Sequence, residues 1–244
     1  LTLTSWIRNE KNEAAGTLHY EQFQKNGTLS ERKDFKKTEW GLQLRFAPGE
    51  RAFNSREGKS SIFNISKDAP VMKLSHQIGF KALGGQFNYH HTELSAEKRV
   101  WLSSFGHIDA LVSAGKVWNK VPFPLLILPN TNQSVTIQPQ AFHMMRAMEF
   151  VNDQYASFFL TYYMKGLLLN RIPVVKWLQL REVVSLAGVW GNLTNKNNPD
   201  LNPLGLYRFP EGTSAMGKTP YLECSVGIEN IFKIMRVDYY RRLT

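Results

Sequence analysis

Large apolar residues alternate with small, polar or ionic ones between Glu39 and Phe46. Successive side chains of a strand point to opposite faces. One face would therefore carry Trp40, Leu42, Leu44 and Phe46, and the other would carry Glu39, Gly41, Gln43 and Arg45. The alternation recurs around residues 156–165 and 221–229. A large apolar face opposite an ionic one is typical of a strand that has lipid on one side and water on the other.

Nine strand-like runs follow one another, separated by polar, Gly-rich or Pro-containing stretches. They cover residues 1–8, 35–47, 71–80, 86–102, 107–118, 153–166, 180–192, 220–231 and 233–243. No helical periodicity of comparable length competes, and the longest apolar stretch, 121–128, is well short of the ~20 residues of a membrane helix. We therefore predict an all-β fold, an antiparallel transmembrane β-barrel. Because bacterial barrels usually have an even number of strands, the odd count predicts that residues 1–244 form part of a larger barrel.

The segment 119–150 interrupts this rhythm, because it has no clear strand or helix pattern. A segment of this length in a compact protein is usually functional or disordered, and its Met and aromatic residues argue against disorder. We therefore expect it to pack against other parts of the protein. In a barrel, it would fill the lumen or cap the mouth.

The composition narrows the choice of partners. The 244-residue chain has a formal net charge of +10, which would suit nucleic acid, anionic lipid headgroups or an anionic lumen. No nucleic-acid recognition module accompanies the basic residues. We expect the lipid bilayer to be a partner, and we expect no nucleic acid. A single cysteine, Cys224, allows no internal disulfide and offers no metal-binding cluster.

No catalytic signature is found in the sequence. It contains no GxSxG, no HExxH and no phosphate-binding Gly loop. His90 and His91 are adjacent on a strand, so their rings should point to opposite faces and could not share one metal ion. His76, His107 and His143 have no partner nearby in the sequence. We expect a protein that is not an enzyme and that has no metal or cofactor.

The last strand carries the best candidates for function. Arg236, Asp238, Tyr240 and Arg242 would share one face, and Met235, Val237 and Tyr239 the other. Arg236 and Asp238 could pair with Glu223 or Glu229 on the neighbouring strand and form an ion network in a watery interior. Two interpretations stay open: ordinary solvation of a lumen, or a specific lock that holds the long loop.

Four stretches carry a family resemblance: GKVWNKVPFPLLILPNTNQS, MEFVNDQYASFFLTYYMKG, KGLLLNRIPVVKWLQLREVVSLAGVWGN and PYLECSVGIENIFKIMRVDYYRRLT. They resemble the carboxy-terminal barrel of a family of Gram-negative outer-membrane proteins of unassigned function. Members often carry a carboxypeptidase-regulatory-like β-sandwich ahead of the barrel. The resemblance covers most of the chain after about Phe35. It implies that the chain is the C-terminal portion of a barrel located in the cell outer membrane, with lipopolysaccharide as a partner besides the lipid bilayer.

More distantly, the order of parts is similar to the barrel of the Bam and Tam type of outer-membrane assembly factors. There, a long loop enters the lumen and sets an Arg-Gly-aromatic motif against acidic residues of nearby strands. Arg146 has a comparable position, although Ala147 replaces the glycine and Leu186 or Ala187 stands where an Asp is expected. The resemblance implies that Arg146 pairs with Glu149 or with an inner-face acid such as Asp238. The complete set of lock candidates is Arg146, Glu149, Asp153, Glu223, Glu229, Arg236 and Asp238.

Three functions follow as hypotheses. The first is a non-enzymatic barrel that assists the assembly, insertion or translocation of outer-membrane or surface components, with other outer-membrane proteins as partners. The second is a passive or gated channel or transporter for small solutes, in which inner-face charges set ion preference. The third is a soluble β-sandwich that binds glycans with exposed aromatic residues.

Overall fold

The alternating sequence forms nine long strands in a computed structural model that describes residues 1–14, 18–24, 28–50, 53–54, 60–61 and 68–244. The strands are β1 (Thr2–Glu13), β2 (Asp34–Phe46), β3 (Val71–Gly79), β4 (Tyr89–Trp101), β5 (His107–Val117), β6 (Gln154–Tyr163), β7 (Arg181–Asn192), β8 (Tyr221–Ile231) and β9 (Met235–Arg242). Each matches one predicted run. The first strand extends beyond its predicted end, Arg8, because Glu10 to Glu13 continue the pairing with β2.

The nine strands form one antiparallel sheet in which every strand pairs with its neighbour along the chain. The all-β antiparallel prediction is therefore confirmed. Among the described residues, β1 and β9 pair with β2 and β8 only, so the sheet has two open edges and does not close into a barrel.

Short elements complete the fold. Two-residue or four-residue strands pair as Tyr20–Phe23 with Leu29–Arg32, Phe53–Asn54 with Ser60–Ser61, and Phe150–Val151 with Ser214–Ala215. Single 3₁₀ turns lie at Ser103–Phe105, Phe123–Leu125, Leu169–Arg171, Val175–Leu178 and Asn195–Asn197. In the described part of the chain, no helix has the length and apolar character needed to cross a membrane.

The connections differ between the two ends of the sheet. One end, the loop end, has the connections 14–33, 80–88, 118–153 and 193–220. The opposite end, the turn end, has the connections 47–70, 102–106, 164–180 and 232–234. The two longest connections, 118–153 and 193–220, therefore both emerge at the loop end.

The two faces of the sheet have opposite character. On the outer face, apolar side chains are exposed to a degree unusual in a protein core: Leu74 is 45%, Leu94 52% and Val226 62% exposed. On the inner face, Glu39 and Glu223 are both 2% exposed. Charged residues are rarely buried in soluble proteins unless they are paired. The distribution is therefore inverted relative to a soluble sheet, as the alternation predicts.

The buried core lies on the inner face and at the loop end. One cluster joins the strand residues Phe35 and Tyr89 with Phe123 and Tyr207 from the connections. A second cluster joins Phe142, from the connection 118–153, with strand residues that include Val189 and Tyr221. Both clusters depend on the long connections folding back onto the sheet.

A row of mostly polar residues crosses the outer face near the loop end. Successive strand pairings join Ser5, Leu42, His76, Thr92, Lys116, Gln154 and Asn192 in this row. Two indoles bind to it, because Trp40 Nε1 donates to Ser5 Oγ at 2.9 Å and Trp118 Nε1 donates to Thr92 Oγ1 at 2.9 Å. We call these seven residues the boundary row.

On the inner face, aromatic rings cover glycines of adjacent strands. A Cβ atom at Gly79 would lie 2.0 Å from Cε1 of Tyr89, and one at Gly41 would lie 2.2 Å from the ring of Trp6. Tyr89 is also buried, and its hydroxyl donates to the Glu39 carboxylate. Glycine at position 79 therefore makes room for the Tyr89 ring, whose hydroxyl binds a buried acid.

We expect Gly79→Ala to destabilise the fold by about 1–3 kcal/mol, because the added methyl group would push Tyr89 away from Glu39. Equilibrium unfolding in denaturant measures the change. Gly217→Ala is the matched control, since a Cβ there meets no atom within 4 Å. Equal stability of the two variants would contradict the proposed packing.

Candidate functional site

The segment 119–150, here called the inner loop, lies against the inner face of the sheet. The Phe142 ring packs 4.8 Å from the ring of Phe159 on β6 and 5.4 Å from that of Tyr221 on β8. The loop also folds on itself, because Phe142 N donates to Asn130 O at 2.9 Å and Asn132 N donates to Phe142 O at 2.8 Å. The expected packing of this segment is therefore observed.

Asp153 and Asn197 fasten both ends of the inner loop. Asn197 Oδ1 accepts from Val121 N at 2.9 Å, and Asn197 Nδ2 donates to Asp153 Oδ2 at 2.9 Å. The Thr194 hydroxyl donates to the same carboxylate oxygen. A buried carboxylate is costly unless it accepts hydrogen bonds, and Asp153 is 2% exposed. Asp153 thus joins the start of the loop, its end and the connection 193–220.

Glu223 on β8 holds the middle of the inner loop. Its two carboxylate oxygens accept from the backbone N–H groups of His143 and Met144, at 2.9 and 3.0 Å. The Tyr221 hydroxyl donates to Glu223 Oε2 at 2.8 Å. The His143 ring stacks on Tyr240 of β9 at a centroid distance of 4.0 Å. Hydrogen bonds to a charged acceptor are among the stronger ones, so this contact fixes the loop to the strand.

Glu149 and Arg242 form an ion pair where the loop rejoins the sheet. Arg242 Nη1 lies 2.7 Å from Glu149 Oε1, and Glu149 Oε2 accepts from Arg146 N at 2.9 Å. Burial raises the pKa of Glu149, but these hydrogen bonds and the Arg242 charge outweigh it and leave the pKa below its ordinary value. The carboxylate is therefore held in its charged form.

The predicted side-chain pairing of Arg146 is not formed. The Arg146 side chain is exposed and makes no salt bridge with any described residue. Glu149 N donates to Arg146 O at 3.2 Å, and the turn that this closes directs the backbone of Arg146, not its guanidinium, toward Glu149. The arginine of the pair comes instead from the strand, at Arg242.

Arg236 and Asp238 also do not form the predicted inter-strand pairs. These two residues bind each other, with Nε to Oδ2 at 2.7 Å and Nη2 to Oδ1 at 2.8 Å. Gly227 opposite Asp238 leaves room for this, since a Cβ there would lie 2.4 Å from Asp238 Oδ1. Glu223 is occupied by the loop. Glu229 faces Arg236 in the register but forms no salt bridge within the described ranges.

A cavity of about 450 Å³ lies between the inner loop and strands β2 to β7. Glu39 lies in its wall with Lys37 Nζ 3.5 Å away, and Glu93 accepts from the Tyr155 hydroxyl at 3.0 Å. His91 also lines it, and its Nε2 atom is buried without a hydrogen-bond partner. Sequence reasoning recognised the face of Glu39 and set His91 on the face opposite His90, but it did not single out Glu93. The alternation in β4 could have indicated this residue as well.

Metal-binding chemistry has little support on the inner face. Among the described residues, no group of three or more His, Cys, Asp or Glu side chains could hold a metal ion. The site as built is a set of buried carboxylates that bind backbone N–H groups, hydroxyls and arginine. It can hold a loop, and it can present charge to a small polar cavity.

These features define an all-β protein whose one large antiparallel sheet has an exposed apolar face and a polar face covered by a loop. Residues 2–198 match the family described as "Family of unknown function (DUF5686) C-terminal domain". The chain therefore belongs to this family. A search of curated proteins finds no match to the chain.

We expect Glu223→Gln to loosen the inner loop and to cost about 1–3 kcal/mol, because the amide cannot accept both backbone N–H bonds. Hydrogen exchange at the His143 and Met144 amides should accelerate. Glu229→Gln, on the same strand and face, is the control and should leave exchange unchanged. Slow exchange in both variants would show that Glu223 does not hold the loop.

The pair of Glu149 and Arg242 should make stability depend on pH. Because the pKa of Glu149 is lowered on folding, its contribution is complete above the ordinary value of 4.5 and is lost as the pH falls through the lowered pKa. At neutral pH, Glu149→Gln should cost about 1 kcal/mol in unfolding free energy. The difference from wild type should vanish in acid. Glu211→Gln, at an exposed position of the connection 193–220, should show no such pH dependence.

Proposed function

We propose that this chain forms part of the wall of an outer-membrane β-barrel, with its outer face in lipid and its inner face around the inner loop. The observation that carries the proposal is the inversion of the two faces: exposed Leu94 and Val226 on one side, buried Glu39 and Glu223 on the other. Contact of the apolar outer face with water is unfavourable, whereas contact with lipid hydrocarbon is not.

Strand length supports the same proposal. A tilted membrane strand needs about 9–11 residues. Strands β1 to β8 have between 9 and 13 residues, and β9 has 8. In this proposal, the nine strands all cross the bilayer.

The boundary row indicates how deep the sheet would lie in the bilayer. It contains His76, Thr92 and Lys116, and the indoles of Trp40 and Trp118 bind to it. Tryptophan is enriched at membrane–water interfaces, where its ring meets lipid and its N–H meets a polar partner. Long connections of outer-membrane barrels face the cell exterior, so we assign the loop end to the outside.

The open edges require further strands in this proposal. Unpaired backbone groups in hydrocarbon cost several kcal/mol each, so a sheet in a bilayer must close. The free edges of β1 and β9 would be completed by additional strands of a larger barrel. Lipid and lipopolysaccharide would then be the partners of the outer face.

For the activity, we propose a non-enzymatic role in which the barrel assists the assembly, insertion or translocation of outer-membrane or surface components. Two features favour this role over that of an open pore. The inner loop packs on β6 and β8, and Glu223 and Arg242 bind it at two separate points. Other outer-membrane proteins would be the partners.

A channel or transporter for small solutes is the second candidate. The cavity beside the inner loop favours it, because Glu39, Glu93 and Lys37 line the space and could set an ion preference. The soluble glycan-binding sandwich has less support, since the described strands include no second large sheet packed on the outer face.

The variant Val226→Arg tests whether the outer face lies in lipid or in water. If the face lies in lipid, a charge there should cost about 2–4 kcal/mol near the bilayer midplane and reduce the amount of folded protein in the outer membrane. Membrane fractionation and the heat-dependent shift in SDS gels measure this. Val135→Arg, at a fully exposed loop position, is the control.

Normal assembly of Val226→Arg, or a soluble wild-type protein without a heat-dependent shift, would overturn the barrel proposal. Conductance of the purified wild-type protein in planar bilayers then separates the two membrane functions. A barrel occupied by its loop should pass little steady current, whereas continuous conduction would favour the channel.

A further inference from the structure

Two histidines that are far apart in the sequence meet on the outer face. His76 on β3 and His90 on β4 lie beside each other because His76 pairs with Thr92 and Ile78 pairs with His90. Their ring centroids are 5.6 Å apart, and His90 Nδ1 lies 3.4 Å from His76 Nε2. His90 is exposed and His76 is partly exposed. The pair of rings therefore lies at the protein surface.

The separation of these nitrogens suits a shared metal ion. Zinc binds imidazole nitrogen at about 2.0–2.1 Å with tetrahedral angles, which sets two such nitrogens roughly 3.3 Å apart. The two nitrogens share a hydrogen bond at 3.4 Å, which is close to this spacing, and a bound ion would replace that hydrogen bond. Imidazole is a preferred ligand of Zn²⁺, Cu²⁺ and Ni²⁺, whereas Ca²⁺ and Mg²⁺ prefer oxygen.

Thr92 orients one of the two rings. Its hydroxyl oxygen lies 2.8 Å from His76 Nδ1. When Nδ1 carries the proton and donates it to Thr92, the Nε2 lone pair of His76 is directed toward His90. A ring nitrogen that donates to a fixed acceptor is the usual arrangement behind a metal-binding histidine. Trp118 Nε1 donates to the same hydroxyl oxygen and helps to hold it in place.

We propose that His76 and His90 form a two-histidine site for a divalent transition-metal ion of the zinc and copper class, with water completing the coordination. Bound metal would join β3 to β4 next to the boundary row. One nearby positive charge, Lys116, has its ammonium 4.6 Å from the centroid of the Trp118 ring, so it is drawn toward the indole. The proposal rests on the register of two strands and on the geometry of these side chains, and it does not depend on the membrane function.

Copper titration tests the site in the purified full chain in detergent micelles, or in buffer if the chain is soluble. Electron paramagnetic resonance should show Cu²⁺ bound to two nitrogens. His76→Ala or His90→Ala should weaken Cu²⁺ binding at least about tenfold, and Thr92→Val should weaken it about tenfold, the lower limit for loss of such a supporting hydrogen bond. His19→Ala, an exposed histidine beside Glu31, is the control.

Circular dichroism melting without metal shows whether each variant is folded. Added Cu²⁺ or Zn²⁺ should raise the melting temperature of the wild type and of His19→Ala, but not that of the double variant His76→Ala/His90→Ala. If the folded double variant binds Cu²⁺ as tightly as the wild type, the ion is adventitious and the proposal is wrong. A wild type that binds neither metal would overturn it as well.

Discussion

The need to satisfy buried carboxylates on the inner face governs the rest of this structure. Glu39, Asp153, Glu149 and Glu223 are all at least nine-tenths buried, and an unpaired buried charge would cost several kcal/mol. A single sheet cannot supply enough donors from its own backbone, since that backbone is already committed to the strand ladder. The donors come from hydroxyls, from arginine and from the inner loop. The inner loop therefore supplies hydrogen bonds that these buried carboxylates need.

The strands and their faces could be predicted from the sequence because they depend on a local period. Alternation around Trp40 or Val226 assigns each residue to a face without knowledge of its partners, and the observed exposure agrees. The packing of the inner loop was also expected. Its irregular course has no period, however, so composition indicated only that the loop would contact other parts of the protein.

The individual contacts of the site could not be predicted, because they depend on register and on turn geometry. The turn between Arg146 and Glu149 directs the Arg146 N–H toward the Glu149 carboxylate. The absence of a side chain at Gly227 leaves room for Asp238 to bind Arg236 of the same strand. The sequence interpretation assigned the loop arginine to a role that the strand arginine, Arg242, fulfils. In the same way, His76 and His90 have no sequence signature because only the pairing of β3 with β4 brings them together.

The partners of the inner loop come late in the chain. His143 is bound by a residue 80 positions further on, and Glu149 by one 93 positions further on. Each strand pairs with its chain neighbour, so the sheet can grow one hairpin at a time without the loop. The ends of the loop are held by Asp153 and Asn197, but the contacts of His143 and Glu149 can form only once β8 and β9 have joined the sheet. Completing the attachment of the loop is therefore a late step of folding, and a loop held only at its ends would be a sign that assembly has stopped before the last hairpin.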